Sequence, residues 1–306
     1  MILKPFLFRK VTIVGVGLMG GSLGMAIKKH RLAREVVGYS QHHATLVHAQ
    51  KYQAIDVGLT DLPSAIRNAD LVVLAAPVDS IIKSLPVINP HLKRGCVITD
   101  VGSVKQEVME AAEKYLSAPV FFVGSHPLAG SEKKGIMNAR ADLFDDAVCL
   151  LTPTDKTHQM ARQKIKLLWT KIGCTVKYLT PEAHDEILAY TSHMPHLLAY
   201  AIMETIPKEH LEHSGQGLKD LTRIAGSSPQ MWNDIFLANS KNVLKALDEC
   251  VKHLSYIRKA IVARDETALL HHLTAGNEKR NLLEPAPEEK IQTENPHTSI
   301  PPAPPN

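Results

Sequence analysis

At 306 residues, with 44% hydrophobic and 22% charged side chains, the chain has the balance of a folded protein and the length for two domains of roughly 100 to 200 residues each. A formal net charge of +4 is too small and too scattered to serve a nucleic-acid partner, although small anionic ligands remain open. No run reaches membrane-span length, and the opening MILKPFLFRK holds no apolar stretch of secretory length, so a cytoplasmic protein with no membrane attachment is expected. The 4 cysteines have irregular spacing and no CxxC, which suggests neither a zinc site nor a disulfide framework. Cys96 and Cys149 sit in apolar strand patterns and read as buried, reduced thiols.

In chain order, the β-branched run FRKVTIV leads directly into GVGLMGGSLGMAIKK, a strand, a glycine turn and a helix. In that context Gly15 makes the tight turn, Gly17 lets backbone approach a pyrophosphate, and Gly20 lets the helix pack on the sheet. Leu18 and Met19 complete the turn, whose helix N-terminus receives phosphate charge. A nicotinamide dinucleotide is the expected cofactor. The next strand, EVVGYS, ends at Ser40, where an acidic residue would bind the ribose 2′-hydroxyl. Without a carboxylate there is no charge to repel a 2′-phosphate, so the expectation leans slightly from NAD toward NADP, although no arginine follows in Gln41, His42 and His43.

LVVLAAPVDSI then reads as a strand buried on both faces, stopped by Pro77, with Ala75 and Ala76 small enough to let a cofactor pass. GCVITD and VFFVGS bracket the helix VKQEVMEAAEKYL, and AVCLLTPT and CTVKYLTP flank a helix over about 157 to 172. This alternation predicts an α/β, doubly wound, Rossmann-type domain over residues 1–180.

From Pro181 only helical patterns remain, over about 181 to 206, 216 to 225 and 229 to 272. In the last, Leu247, Val251, Leu254, Ile257 and Ile261 form an apolar stripe that must bury against something. An all-helical domain over 181–283 that forms a homodimer is therefore expected. Residues 284–306 are proline-rich, free of aromatics, and read as a disordered tail.

The chemistry is expected at two successive strand ends, where DVGSVK and SHPLAGSEKKG place Ser103 and His126 on one rim of the sheet. Histidine suits proton removal near neutral pH. Ser103 followed by Gln106 also reads as a capping box for a helix beginning at Val104. Further on, Lys219 and Arg223 lie one turn apart, an arrangement that gains nothing unless an anion sits there, with Asp220 as the alternative local partner. His184, His193 and His196 share a helix kinked near Pro195, with neither a cysteine nor HExxH to make a metal site, and His196 is the ligand-binding candidate among them. On sequence alone Trp232 reads as core and Glu132 as surface.

Together GVGLMGGSLG, DVGSVK, SHPLAGSEKKG, TSHMPH and KDLTRIAGSSPQMW resemble the prephenate/arogenate dehydrogenase family of tyrosine biosynthesis, over about residues 9 to 275. The resemblance implies a Rossmann domain followed by a helical dimerisation domain, and oxidative decarboxylation of prephenate or arogenate. It makes His126 the catalytic histidine bonded to the ring hydroxyl, Ser103 the residue that positions it, and Arg223 the ligand of the ring carboxylate. His196, Lys219, Glu132 and Trp232 match residues around the pocket or its gate. No chorismate mutase segment precedes the Rossmann part and the tail is too short for an ACT domain, so any feedback control by tyrosine is expected to act elsewhere. Two other readings stay open. A β-hydroxyacid dehydrogenase would offer a catalytic lysine in a glycine-rich helix start, which is not found. A non-catalytic dinucleotide-sensing module would need Gly15, Gly17 and Gly20 but none of His126, Ser103 or Arg223.

Overall fold

The structure, a computed structural model, describes residues 6–131 and 133–283; Glu132 and the proline-rich stretch from Glu284 lie outside the described residues. Eight strands form one sheet in the order β3-β2-β1-β4-β5-β6-β7-β8. They are β1 (Phe8–Val14), β2 (Ala33–Tyr39), β3 (Val57–Leu59), β4 (Leu71–Leu74), β5 (Val97–Asp100), β6 (Phe121–Pro127), β7 (Val148–Thr152) and β8 (Thr175–Tyr178). All pairings are parallel except β6 with β7, which is antiparallel.

The two-residue period of a strand sends its side chains to opposite faces. Leu71 and Val73 of β4 join the cluster with Val11, Ile13 and Val97, which also takes Leu23 and Ile27 of α1 (Leu18–Lys29) and Ile165 and Leu168 of α6 (Gln159–Ile172). Val72 and Leu74 enter the opposite cluster, with Ile81 and Leu85 of α4 (Val78–Ile88) and Val108 and Ala112 of α5 (Gln106–Tyr115). A strand covered on both faces needs no polar side, and this is why LVVL is continuous.

Under the strand ends lies a polar scaffold. Asp100 accepts hydrogen bonds from the backbone N–H of Gly102 (2.9 Å) and Ser125 (3.0 Å), and pairs with Lys105; both side chains are fully buried. Ser125 Oγ is 2.6 Å from Thr99 Oγ1 and accepts from Trp169 Nε1 at 3.2 Å. These bonds tie β5 to β6 at the turn that carries Ser103.

Helices alone follow β8 among the described residues. The first, α7 (Pro181–Leu188), is capped by Thr180, whose hydroxyl accepts from Ala183 N at 3.1 Å, and starts on proline, which has no N–H to lose. A π-helical turn, Ala189–His193, separates it from α8 (Met194–Thr205), so the break falls ahead of Pro195, which sits in the first turn of α8. The expected helix over about 229 to 272 is instead three: α10 (Pro229–Ala238), α11 (Ser240–Ala263) and α12 (Glu266–Asn281), following a short α9 (Gln216–Thr222). The first break is at Asn239, whose buried side chain bonds to distant groups; the second is at Arg264, in left-handed conformation (φ 52°) just before Asp265 caps α12. The apolar stripe from Leu247 to Ile261 lies wholly within α11, between the two breaks, and so signalled neither.

The chain divides into two compact units, one through Asp248 and one from Glu249 on. The first holds the sheet and the helices to the start of α11, whose Val243 and Ala246 pack with Ala189. In the second, Tyr256 stacks on His272, with ring centroids 5.7 Å apart, and Val251, Leu254, Ile261, Val262, Leu270 and Leu273 are exposed.

Candidate active site

The site grows from three backbone features. The first is the turn after β1. Gly15 has φ 94°, and a Cβ there would lie 2.4 Å from the Ala75 carbonyl oxygen, so only glycine fits between the two strand ends. A Cβ on Gly17 would meet nothing within 4 Å: the protein leaves open space over this turn, the room that a pyrophosphate needs. Gly20 is pressed into the strand, its hydrogen 's place leaving no room for a side chain beside Gly15, Ala75 and Ile13.

The second feature is the pair of strand ends. Asp100 closes β5 and the chain turns over it through Gly102 and Ser103, while His126 stands near the end of β6. The third is the helical layer, where His196 stacks on Trp232 (centroids 3.7 Å apart, planes at 24°). Between them is a cavity of about 550 Å³, lined by Gly17, Leu18, Met19, Ala76 and Pro77 from the first and fourth strand ends, by Ser103 and His126, and by His196, Arg223 and Trp232 of the helical layer. A second cavity of about 390 Å³ shares Leu18, Lys133 and Arg223 with the first and adds Arg140, a cationic annex.

Not every candidate reaches this cavity. Gly15 and Gly20 are structural beneath it, and Ser40 lies at the end of β2, its hydroxyl accepting from His42 N at 3.2 Å. Exposed Lys219 lines neither cavity, and Asp220 accepts from Gln216 rather than from a cation (2.8 Å). Glu132 is outside the described residues. Trp232, read as core, both packs in the core and lines the cavity, with no hydrogen-bond partner for its indole N–H among the described residues.

The capping box is overturned. Helix α5 starts at Gln106, two residues later than expected, and Ser103 does not cap it. Asp185, from α7, does so instead: its Oδ1 accepts from Lys105 N (2.8 Å) and its Oδ2 from Gln106 N (2.9 Å). A carboxylate satisfies orphan N–H groups and meets the positive end of the helix dipole, both of which a serine hydroxyl serves less well. Ser103 is left with its side chain at the cavity.

The same carboxylate reaches the catalytic candidate. Asp185 Oδ1 lies 2.7 Å from His184 Nδ1, and His184 Nε2 lies 2.9 Å from His126 Nδ1. Sequence reading missed both His184 and Asp185 as functional residues; the adjacent His-Asp in PEAHDEIL was the signal, but neighbours on a helix do not ordinarily face each other. Burial, first of all, pushes His126 well below the usual histidine range, helped by the positive charge that His184, Lys105 and His193 would add. Burial also lowers His184, against the opposing pull of Asp185, and takes His193 down to about 4. His126 is thus a neutral base in a half-buried position. His196 Nδ1 donates to the Ser192 carbonyl (2.9 Å), which leaves its Nε2 as an acceptor.

The family of the prephenate dehydrogenase nucleotide-binding domain matches residues 23–178, and that of the prephenate dehydrogenase dimerization domain matches residues 180–275. The chain belongs to the prephenate dehydrogenase family. It is an oxidoreductase with the nucleotide-binding fold of that family. The prephenate dehydrogenase of Bacillus subtilis is 33% identical over 89% of this chain and 76% of its own length. The cyclohexadienyl dehydrogenase of Zymomonas mobilis is also 33% identical, over 90% of this chain and 96% of its own. Among solved structures, prephenate dehydrogenase from A. aeolicus, in complex with hydroxyphenyl propionate and NAD+, superposes with a TM-score of 0.84 at 33% identity, over 93% of this chain and all of that one (100%).

Proposed function

We infer that the protein oxidises and decarboxylates prephenate, with arogenate as the amino-acid counterpart, and that His126 is its general base. The observation that carries this reading is a neutral histidine in a cavity that the dinucleotide turn and Arg223 also line. Relatives named as prephenate, cyclohexadienyl and arogenate dehydrogenases support the substrate class.

Gly17, Ala76 and Pro77 would hold a nicotinamide dinucleotide, which would supply the hydride acceptor. His126 takes the proton of the ring hydroxyl as hydride leaves the same carbon. Carbon dioxide then departs from the opposite ring position, the ring becomes aromatic, and the proton returns to the phenolate oxygen. Aromatisation drives the step, so the protein's work is orientation. Arg223 grips the ring carboxylate, His196 offers its Nε2 acceptor, and Trp232 gives the ring a flat apolar wall. Ser103, in the turn between β5 and α5 and lining the same cavity as His126, orients the base or reaches toward the cofactor.

For the cofactor we propose that NADP is accepted at least comparably with NAD, because Ser40 places no carboxylate against a 2′-phosphate. For assembly we propose a homodimer formed through the helices that follow the sheet, in keeping with the dimerization-domain match.

The test is turnover of prephenate and of arogenate with each dinucleotide, followed by reduced nicotinamide and by the aromatic product. His126→Asn should lower kcat by about 10²-fold or more with dinucleotide Kd unchanged. No turnover of either acid, or wild-type kcat in His126→Asn, overturns the reading.

A further inference from the structure

We propose that His184 and Asp185 are positioning residues that hold the lone pair of His126 on Nε2, through a chain of two hydrogen bonds. The inference rests on the reading of His126 as the base.

The argument is one of donors and acceptors. A carboxylate only accepts, and Asp185 already faces two backbone N–H groups, so at 2.7 Å the proton between it and His184 belongs to His184 Nδ1. Burial keeps His184 neutral, with a single ring proton, and that proton is now spent. His184 Nε2 is therefore an acceptor, and the atom 2.9 Å away, His126 Nδ1, must donate to it. His126 then has its own single proton on Nδ1. Nε2 is left as the ring nitrogen able to take a proton from substrate. Had Asp185 been absent, His184 could turn its proton the other way, and His126 Nδ1 would become the acceptor, with Nε2 blocked by hydrogen.

The chain is anchored at its far end. His184 and Asp185 are essentially free of solvent access (0% and 1% side-chain exposure), and the Asp185 carbonyl accepts from Asn239 Nδ2 at 2.7 Å. Because the carboxylate also holds the first N–H groups of α5, it cannot rotate to release His184 without uncapping that helix. A single residue thus links the geometry of the helix beneath Ser103 to the tautomer of His126. A cap alone would require the carboxylate but place no demand on the histidine beside it.

The experiment is ¹⁵N NMR of histidine-labelled wild-type enzyme at neutral pH without substrate, with the His126 signals assigned by their loss in His126→Asn. A protonated, pyrrole-type Nδ1 and an unprotonated, pyridine-type Nε2 are expected. The reverse tautomer overturns the proposal. In His184→Asn, which leaves the Asp185 cap of α5 in place, the His126 tautomer should become mixed. Its kcat should fall about tenfold or more while substrate KM and dinucleotide Kd stay within about twofold. Unchanged kcat, or a loss confined to KM, overturns it as well, and the wild-type spectrum decides the tautomer even if the variant does not fold. Because the spectrum is read without substrate, a protein that turned over neither acid would sink the proposed function while leaving the tautomer to be judged separately.

Discussion

His126, His184 and His193 share one electrostatic condition: burial holds all three neutral, with His193 pushed down to about 4. The unfolded chain takes up protons at these histidines at higher pH than the folded one does, so over that window the unfolded state binds more protons and stability rises with pH. Their contribution is complete above about pH 7 and is lost as pH falls through the ordinary histidine range. Denaturant midpoints measured between about pH 7 and 5, where carboxylates stay ionised, should therefore drop steadily. A midpoint that stayed flat across this window would contradict their neutral burial. Arg223 supports a different expectation, because its guanidinium is exposed at the junction of both cavities. Arg223→Ala should raise substrate KM about tenfold or more, roughly 1.4 kcal/mol, with dinucleotide Kd unmoved. Arg223→Lys should recover only part, since an ammonium lacks the planar fork. An unchanged KM in a folded alanine variant would remove Arg223 from substrate binding.

The strand-turn-helix that opens the chain contains two glycines with opposite reasons for being glycine. Gly15 faces protein: its positive φ and the Ala75 carbonyl at 2.4 Å from any Cβ mean that Gly15→Ala strains the turn between β1 and α1 where it packs against the end of β4. Gly17 faces open space. Gly17→Val should leave the thermal midpoint nearly unchanged but weaken dinucleotide binding at least tenfold, whereas Gly15→Ala should lower the midpoint by several degrees, for a cost of about 1 to 3 kcal/mol. Thermal melts and dinucleotide titration of both variants separate the two roles; weakened folding in Gly17→Val would mean that the space above it is not a ligand's.

Beyond the first compact unit, α11 and α12 carry apolar side chains that water should not see. Leu254 and Ile261 are 54% and 58% exposed, and Leu270 and Leu273 55% and 54%. Exposed apolar area on this pattern marks an interaction surface, and a second copy is the occupant proposed above. Light scattering after gel filtration should give a dimer for the wild-type chain and a monomer for the Leu254→Glu, Ile261→Glu double variant. A monomeric wild type at micromolar concentration would remove the homodimer.

What could be read along the chain was whatever depends on near neighbours. The turn at Gly15 to Gly20 follows from glycine spacing after a β-branched run, β4 from an apolar run with no polar face, and the rim position of Ser103 and His126 from where two strands stop. Tertiary contacts decided the rest, because each such feature joins residues that no local pattern relates. The cap of α5 comes from Asp185, 80 positions from Lys105, and outcompetes the nearby serine. The partner of His126 is 58 positions away. The helix break at Asn239 coincides with a bond to a carbonyl 54 positions distant, while the hydrophobic stripe beyond it gave no sign of interruption. Periodicity reports which face of an element is buried, and is silent on which buried donor meets which buried acceptor; that pairing is set only when the sheet and the helices close on one another and leave each N–H a single acceptor within reach.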